Sequence, residues 1–599
     1  MRRRRLGVTT LATAVLCLGM VAGIEDARAE TARSAQPAGH TRADLLDIAR
    51  QQVDRHEYVL ALETYQRLLA QSPDDSDLLI EVARVLGYAD RNAESAQMYR
   101  RVLTVAPQRR ADVRRSLAWQ TLWTPDAVAA EALFLESLDA DPDPADAWRG
   151  IAEARQQQND LSGAVDAYEE LLRLTPDDAV MSRRRAQLLV WQGRHQDGID
   201  AFEALVQRDP GDRLSRIGLA RALNDAGRHR QALARFGQID EVGLDADDRF
   251  SRARALQWAG FPELADRELL AIDTPDAQWV HRYQTSRELA GRWLAEINGS
   301  TDRDGLDTRT MIVGSSLPLR YPAIVGASVR QVRFDDPLGR VRGARFQVDA
   351  STRIGTPTDT HGVIWPSVTI AWNDYDHRGA GGGASAGSWH PVTGGVRMHW
   401  LPTDLVRIDA ELGRETVETP KAVEERVTID VASIGVEWRP VPVWSLAASL
   451  AHLRFDDGNA RDRLYVRAER TVLPSPRIRV GLEAQRFSSS DPAGPSTSWR
   501  GYWSPDKYGE ARLFVSWSHD WQDWQFEARA GLGTARETDG WGNRSSGRPN
   551  TWELVAVRDL SPTLQLRAQI GGSGSGMGVG TGGSGYWRRY AGISLIGWF

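Results

Sequence analysis

Prolines recur at an almost constant spacing in the first half of the chain, and this period restricts the fold more than any other feature. They stand at Pro73, Pro107, Pro142, Pro176 and Pro210, at intervals of 34 or 35 residues. A period of this length predicts a stack of small helical units, each of which buries its apolar face against its neighbours.

Two further positions follow the same period. With each proline at position 32 of its unit, position 8 is alanine and position 24 is aromatic in six units. The alanines are Ala49, Ala83, Ala118, Ala152, Ala186 and Ala220, and the rings are Tyr65, Tyr99, Phe134, Tyr168, Phe202 and Phe236. Small residues let two helices approach, and a ring fills the space beside them. The pattern resembles the tetratricopeptide repeat (TPR), and a looser seventh unit from about Ala246 to Pro275 extends the predicted solenoid over residues 42–290.

Position 13 is also aromatic in four units, at Tyr88, Trp123, Trp191 and Trp258. These rings could simply fill the turn between the two helices of a unit. Alternatively, they could stack against the apolar faces of sugars or contact a partner peptide. The sequence leaves these three interpretations open.

The amino-terminus has the pattern of a secretory signal. Arginines at positions 2–5 precede an apolar run from Leu6 to Ile24, and Ala27-Arg28-Ala29 gives a cleavage site after Ala29. A single-span anchor is the alternative. We therefore predict a signal peptide over residues 1–29 and a linker over 30–41. The single cysteine, Cys17, lies in the apolar run, so the mature chain would contain no thiol.

From about Trp293 the helical period gives way to strand-like alternation. Phe346 and Val348 fall on one face of a predicted strand, and Arg345 and Asp349 fall on the other. The last residues, Tyr586 to Phe599, alternate in the same way and end on an aromatic carboxy-terminus. This pattern predicts strands with a lipid face and a wet face, as in a transmembrane β-barrel.

The polar faces of these strands give a set of residues that we expect to line a lumen. They are Arg345, Asp349, Arg353, Arg407, Asp409, Glu411, Arg477, Arg479, Glu483, Glu527, Arg529, Arg567 and Arg588. Both signs of charge occur, which suits a bulky, hydroxyl-rich polymer better than one small ion. Alternatively, the pairs could be salt bridges that brace the wall.

Tryptophan is concentrated in this half, with sixteen of 22 at or after Trp293. Many lie near strand ends, where aromatic girdles meet the membrane interfaces, and Trp372, Trp438, Trp503 and Trp552 are examples. A soluble lectin-like sandwich would also be rich in tryptophan. Counting the alternating runs predicts about 16 strands over residues 291–599, and we interpret the glycine-rich segments 379–387 and 571–585 as surface loops.

The sequence offers no catalytic residues, no metal-binding pattern and no sign of a cofactor. The histidines after position 361 lie in separate segments without metal-ligand spacing. The formal net charge is −6, so no basic excess indicates nucleic acid. We therefore expect a protein that is not an enzyme and does not bind nucleic acid.

The whole pattern resembles the outer-membrane exporters of bacterial exopolysaccharides. These are the poly-N-acetylglucosamine export porin, the cellulose export subunit and the YaiO-type outer-membrane proteins. The resemblance lies in the repeat segments 186–194 and 253–260, in Tyr502-Trp503-Ser504-Pro505 with Tyr508, and in the terminal Phe599.

This resemblance implies a periplasmic α-helical TPR solenoid followed by an antiparallel transmembrane β-barrel in the outer membrane. It also implies export of an exopolysaccharide. The partners would be the lipid bilayer and the periplasmic or inner-membrane proteins that synthesise or modify the polymer. The alternative is a barrel that transports nothing and serves as an anchor or receptor.

Overall fold

The computed structural model describes residues 41–138, 144–379, 386–495, 500–574, 581–583 and 585–599. The predicted signal peptide and the predicted linker, apart from Thr41, lie outside these residues. The chain divides into two compact units, Met1–Asp178 and Ala179–Phe599. Helices extend to Leu289 and the first long strand begins at Arg292, so the second unit contains both helices and strands.

The first unit consists of four helix pairs. They are α1 (Arg42–Asp54) with α2 (Tyr58–Gln71), α3 (Ser76–Tyr88) with α4 (Asn92–Val105), α5 (Arg110–Leu122) with α6 (Ala127–Leu138), and α7 (Pro144–Gln157) with α8 (Leu161–Leu174). Thr41 caps α1 with a reciprocal bond to Asp44, and Asp75 caps α3 through the backbone N–H groups of Asp77 and Leu78.

The second unit begins with three further pairs and a short helical segment. These are α9 (Ala179–Trp191) with α10 (His195–Arg208), α11 (Arg213–Asp225) with α12 (His229–Phe236), α13 (Ala246–Trp258) with α14 (Pro262–Leu269), and then α15 (Pro275–Val280), a π-helical turn (His281–Thr285) and α16 (Ser286–Leu289). The described residues therefore contain seven helix pairs, and the predicted bounds of the solenoid, 42–290, stay a prediction. The helices within the described residues include none that is both long and apolar enough to cross a bilayer.

The periodic alanines and rings form the helical core, as predicted. The alanines of position 8, from Ala49 to Ala220, are fully buried, and the rings of position 24, from Tyr65 to Phe236, are buried beside them. Gly193, Gly227 and Gly260 turn the chain between paired helices with positive φ. The repeat pattern therefore predicts both the helix pairs and the residues that join them.

The remaining chain forms one closed antiparallel sheet. The strands are β1 (Arg292–Asp302), β2 (Asp307–Arg320), β3 (Ala323–Asp336), β4 (Gly339–Ser351), β5 (Val363–Gly379), β6 (Ala386–Trp389), β7 (Val392–Thr403), β8 (Val406–Thr416), β9 (Thr428–Trp438), β10 (Trp444–Phe455), β11 (Ala460–Pro474), β12 (Arg477–Ser489), β13 (Lys507–Trp521), β14 (Trp524–Thr538), β15 (Arg544–Gly547), β16 (Thr551–Ser561), β17 (Leu564–Ser573) and β18 (Arg588–Trp598). A single helical turn, α17 (Pro420–Glu424), lies between β8 and β9.

Strand β1 pairs with both β2 and β18, which closes the sheet into a barrel. The four-residue strands β6 and β15 only lengthen β5 and β14, so sixteen strands form the wall, as the alternation predicts. The predicted glycine-rich loops are wrong at their edges, because Gly379 belongs to β5, Gly387 to β6 and Gly571 to β17. Residues 380–385, 575–580 and 584 of these predicted loops lie outside the described residues.

The two ends of the barrel differ. At the near end, where β1 begins and β18 ends, several connections are two-residue turns, such as Ser475-Pro476. At the far end the connections are longer, and 417–427 and 490–506 are examples. Short turns at one end and long loops at the other are typical of outer-membrane barrels.

The two faces of the wall follow the predicted alternation. The outward side chains are apolar and exposed, as shown by Val348, Ile370, Leu412, Leu450 and Val515. The prediction that Trp503 belongs to a girdle is wrong. Trp503 is buried in a far-end loop, where Phe487 and Tyr508 pack against it. Local alternation could not reveal this, because Trp503 lies outside every strand.

Candidate functional site

The inward side chains of the strands form a polar interior register. On β12 and β13, Glu483 accepts hydrogen bonds from the buried guanidinium of Arg512 (Nε to Oε1, 2.9 Å). Arg529, from β14, reaches the same carboxylate at 2.7 Å. Three successive strands therefore point charged groups to the same side of the sheet, opposite the exposed Leu513 and Val515.

The pairing register places the predicted lumen residues, Arg353 excepted, on this inward side. Paired residues share a face, so Arg345 on β4 stands beside Asn373 on β5, and Arg567 on β17 beside Ser594 on β18. Whether these side chains form the wall of a channel stays a prediction.

Several of these residues brace the wall through ion pairs. Arg407 binds Asp409 (2.9 Å), Arg397 binds Glu411 (2.8 Å) and Arg479 binds Glu469 (3.3 Å). Arg588 donates to the hydroxyl of Ser300 at 3.0 Å. These contacts favour the bracing interpretation for part of the set.

Other members of the set have no ion pair within the described part of the chain. They are Arg345, Asp349, Arg477, Glu527 and Arg567.

Arg353 departs from the prediction. It follows β4 in the near-end connection, where its guanidinium binds the carboxylate of Glu263 at 2.5 Å and the carbonyl of Gly260 at 2.6 Å. Its side chain is 7% exposed and lies 3.9 Å from the centre of the Phe261 ring. Arg353 therefore joins the barrel to α14 and is not part of the inward register.

A second contact at the near end involves Arg230 of α12. The carboxylate of Asp404, in the turn between β7 and β8, accepts hydrogen bonds from the backbone N–H groups of Arg230 (3.0 Å) and Gln231 (3.2 Å). The Arg230 guanidinium donates to the carbonyls of Leu401 and Pro402. A barrel side chain thus caps the helix.

A third contact lies beside the carboxy-terminus. Arg287 of α16 forms an ion pair with Asp559 (2.7 Å), and its guanidinium lies 4.3 Å from the centre of the Trp598 ring. Gly291 and Phe599 exchange backbone hydrogen bonds at 3.0 and 2.9 Å. Together with Val363, which packs on Leu233 and Phe261, these contacts fix the last repeats to the near-end turns.

At the far end, three loop segments meet inside the barrel. We call 417–427, 500–505, 581–583 and 585–586 the far-end loop cluster. Val423 packs on the inward-facing Val332, Phe334 and Tyr375, while Tyr502 stacks on Phe455 with ring centres 4.3 Å apart. The loops therefore occupy interior space at this end.

Polar contacts hold the cluster together. The carboxylate of Glu418 accepts two hydrogen bonds from the guanidinium group of Arg330, both at 2.5 Å. The hydroxyl of Thr419 donates a hydrogen bond to the carbonyl of Gly501. The buried Arg461 donates to the carbonyl of Trp503, and the Trp503 indole donates to Glu537 at 2.9 Å. A side chain at Gly501 would lie 2.3 Å from the backbone of Ala422, so glycine is needed where the loops meet.

In the first unit, two position-13 rings flank one groove of about 1040 Å³. Tyr88 and Trp123 are 54% and 55% exposed, and Trp119 lies beside Trp123 with ring centres 5.8 Å apart. Gln120 lines the same groove and is 9% exposed, and its Oε1 has no hydrogen-bond partner among the described residues. Exposed rings beside an unsatisfied amide are suited to a ligand with both apolar faces and hydroxyl groups.

The other two rings differ from this pair. Trp258 is covered by the Arg254 guanidinium (4.2 Å) and by the His229 ring (4.9 Å). Trp191 is as exposed as Trp123, but it does not line the groove.

His229 gives the helical part of the second unit a predictable pH dependence. Burial, with Arg254 nearby, lowers the pKa of His229 from 6.5 to about 4. The folded state therefore holds the neutral ring, and its stability should fall as the pH drops from 6.5 towards 4, by at most about 3 kcal/mol. Urea unfolding of the helical signal at pH 7.5 and 4.5 should show this loss in the wild type and a smaller one in His229→Gln. Equal losses in both proteins would contradict the assignment.

Several residues of these contacts were not found from the sequence. Asp404, Arg230 and Gly501 act through partners far away in the chain, and no local pattern marks them. Tyr502 was noted only through the resemblance, and Trp503 was predicted to lie in a girdle, which is not where the structure places it. Among the residues that the structure describes, no three His, Cys, Asp or Glu side chains converge to hold a metal ion.

Comparison with known proteins identifies the repeats. Two family models described as tetratricopeptide repeat match residues 189–256 and 127–179. None of the curated proteins compared with this chain matches it in sequence.

Solved structures are similar to parts of this chain. A bacterial polysaccharide outer membrane secretin is 17% identical, with a TM-score of 0.40, and the match covers 52% of this chain and 99% of that protein. A tetratricopeptide repeat protein from Parabacteroides merdae is 15% identical, with coverage of 41% and 98% and a TM-score of 0.34. The type IV pilus biogenesis factor PilW is 15% identical, with coverage of 41% and 99% and a TM-score of 0.27.

A closed barrel with an apolar outer face satisfies every strand hydrogen bond within the bilayer, and the fold therefore fits an outer-membrane protein. The chain combines tetratricopeptide repeats with a closed, sixteen-stranded antiparallel β-barrel.

Proposed function

We propose that this protein is an outer-membrane channel that exports a bacterial exopolysaccharide, with its repeats in the periplasm. The observation that carries the proposal is the charged inward register of a sixteen-stranded barrel whose near-end turns hold the last repeats. A barrel of this size has room for an aqueous path. Because the last repeats are fixed at the near-end turns, a polymer bound to those repeats would lie beside the entrance.

The interior chemistry supports a polymer as the cargo. The free charges of Arg345, Asp349 and Glu527 have both signs, so they would not concentrate a small ion of one charge. Hydroxyl groups can donate to carboxylates and accept from guanidinium groups, and a neutral or mixed glycan could therefore slide along such a wall. Export along this path needs neither a cofactor nor a metal ion.

The repeats would receive the polymer or the proteins that make it. Solenoids of this type offer extended binding surfaces. We assign the groove between Tyr88 and Trp123 to the glycan, because aromatic faces cover the apolar faces of sugars and Gln120 can supply a hydrogen bond. Periplasmic or inner-membrane enzymes of synthesis and modification would bind elsewhere on the repeats.

Glycan binding at the groove can be measured on the full-length protein in detergent. Trp123→Leu should weaken binding of a soluble β-linked hexasaccharide by about tenfold, because it removes one stacking surface. Trp191→Leu is the matched control, since that ring has the same repeat position and the same exposure but lies outside the groove. Equal losses of glycan binding in the two variants would indicate that the rings bind as a continuous row. Unchanged binding in both variants would show that the glycan does not bind in this groove.

Transport is tested in planar lipid bilayers. The protein should conduct ions once its far-end loops are released, and a soluble polysaccharide added on the side of the helices should interrupt that current. A barrel that never conducts would overturn the channel proposal.

The alternative is a barrel that transports nothing and serves as an anchor or receptor. The far-end loop cluster is the observation that favours it, because Val423 and Tyr502 fill interior space that a polymer would have to cross. The polysaccharide added to the open barrel distinguishes the two functions, since a barrel that serves only as an anchor would conduct after loop removal without the polymer interrupting the current.

A further inference from the structure

A shallow furrow of about 780 Å³ crosses the outer face of the barrel over strands β8 to β12. Two rows of outward side chains border it. Within each row, neighbouring residues are cross-strand partners on adjacent strands. At one end the side chains are apolar, namely Ala410, Leu412, Ala432, Ile434, Leu450 and Leu464. Ala432 is a small residue between its cross-strand partners Leu412 and His452.

The other end of the furrow is polar. His452 and Asp462 are hydrogen-bonded at 2.7 Å (Nδ1 to Oδ1), and Arg486 stands beside Leu464 at the edge. Within the described residues Arg486 has no carboxylate partner, and its side chain is exposed.

The next outward row adds another cation. Arg414 and Asp430 form a pair at 2.7 Å, and Arg454 is paired with Asp430 across the ladder between β9 and β10. Two arginines therefore share one aspartate along the far border of the furrow, beside the row Leu412, Ala432 and His452. This border attracts a negative charge, whereas the apolar end requires hydrocarbon.

The polar residues of the furrow and its border lie in the far half of their strands. His452 is close to the end of β10, and Asp462 is close to the start of β11. Under the proposed function, with the repeats in the periplasm, this half of the barrel lies in the outer leaflet of the outer membrane. Lipids of that leaflet carry phosphate groups on a sugar head group.

We propose that the furrow binds a phosphorylated lipid of the outer leaflet. One acyl chain lies along Leu412, Ile434 and Leu450, and a phosphate is held by Arg486 at the polar end. Arginine is suited to this contact because its planar guanidinium can donate two parallel hydrogen bonds to a phosphate. The inference rests on the proposed orientation of the barrel, but it does not require that the barrel transports anything.

The test uses the full-length protein in an uncharged detergent, titrated with purified diphosphoryl lipid A and followed by native mass spectrometry. The wild type should retain lipid A, and the same lipid stripped of its phosphates should bind about tenfold more weakly. Arg486→Gln should weaken binding of the phosphorylated lipid by a similar factor. Arg309→Gln is the matched control, because Arg309 is an outward arginine at the far end of β2, away from the furrow.

A second variant tests the acyl chain. Ala432→Phe should fill the furrow and lower lipid retention without changing any charge. Equal binding of the two lipids, or an equal loss in Arg486→Gln and Arg309→Gln, would overturn the proposal. Conductance in planar bilayers should be the same in Arg486→Gln as in the wild type, so failure of this site and failure of the channel function are separate results.

Discussion

Deletion of residues 420–424 should convert the barrel from one that passes little current into one with a stable open level in planar bilayers. These residues form α17, and Ala422 and Val423 bury against inward-facing side chains at the far end. Their removal should release the contact between Thr419 and Gly501 and allow the loops to leave the interior. Because sixteen strands enclose an aqueous channel, we expect single-channel conductance to rise by about tenfold or more.

A triple variant on the same helical turn is the control. Lys421→Ala, Glu424→Ala and Glu425→Ala remove a set of surface ion pairs and leave the buried face of α17 unchanged. This protein should conduct as the wild type does. If the deletion variant folds, shown by heat-modifiable migration on a gel, and still does not conduct, then the cluster is not what closes the barrel.

Arg353→Met should loosen the contact between the last repeats and the barrel more than any other single change at the near end. The Arg353 side chain is 7% exposed, and the Glu263 carboxylate that it binds is also largely shielded. Removing one partner leaves the other charge without compensation, which costs about 3 kcal/mol. In hydrogen exchange measured by mass spectrometry, amides of α13 and α14 should exchange about 100-fold faster.

Two further variants separate this contact from a general loss of charge. Arg194→Ala removes an ion pair with Asp197 in which both side chains are about half exposed, and it should change exchange by about twofold or less. Combining Arg353→Met with Glu263→Gln removes the lone carboxylate and should restore part of the protection. Unchanged exchange in Arg353→Met would show that Val363 and Phe261 hold the repeats without the ion pair.

The repeats could be predicted from the sequence because their determinants are local. Each alanine from Ala49 to Ala220 stands where two helices of one unit cross, and its period of about 34 residues is visible in the chain. The wall of the barrel was predictable for a similar reason. A strand exposes alternate side chains to lipid and to the interior, so the face of Arg345 or Phe346 follows from its neighbours.

The candidate site was only partly predictable, because its decisive contacts join distant segments. Arg353 continues the alternation of β4, and only the position of Glu263 in space shows that its partner lies in a helix. Trp503 has the composition of a girdle residue, but the loop that carries it turns inward and meets Phe487. The repeat period and the alternation of side chains predict which face of a helix or strand is buried. They do not predict which distant residues a loop contacts.

The cap of α12 links the order of assembly to the repeats. No side chain at the start of this helix caps it, and the carboxylate that does so, Asp404, lies 174 residues after Arg230. The helix can therefore reach its full stability only after β7 and β8 have paired. While the barrel is still unfolded, the sixth helix pair carries unsatisfied N–H groups at its amino-terminal end, and these groups become hydrogen-bonded when the barrel forms. The start of α12 therefore has different hydrogen-bond partners before and after the barrel assembles, so hydrogen exchange at its first amides reports whether the barrel has formed.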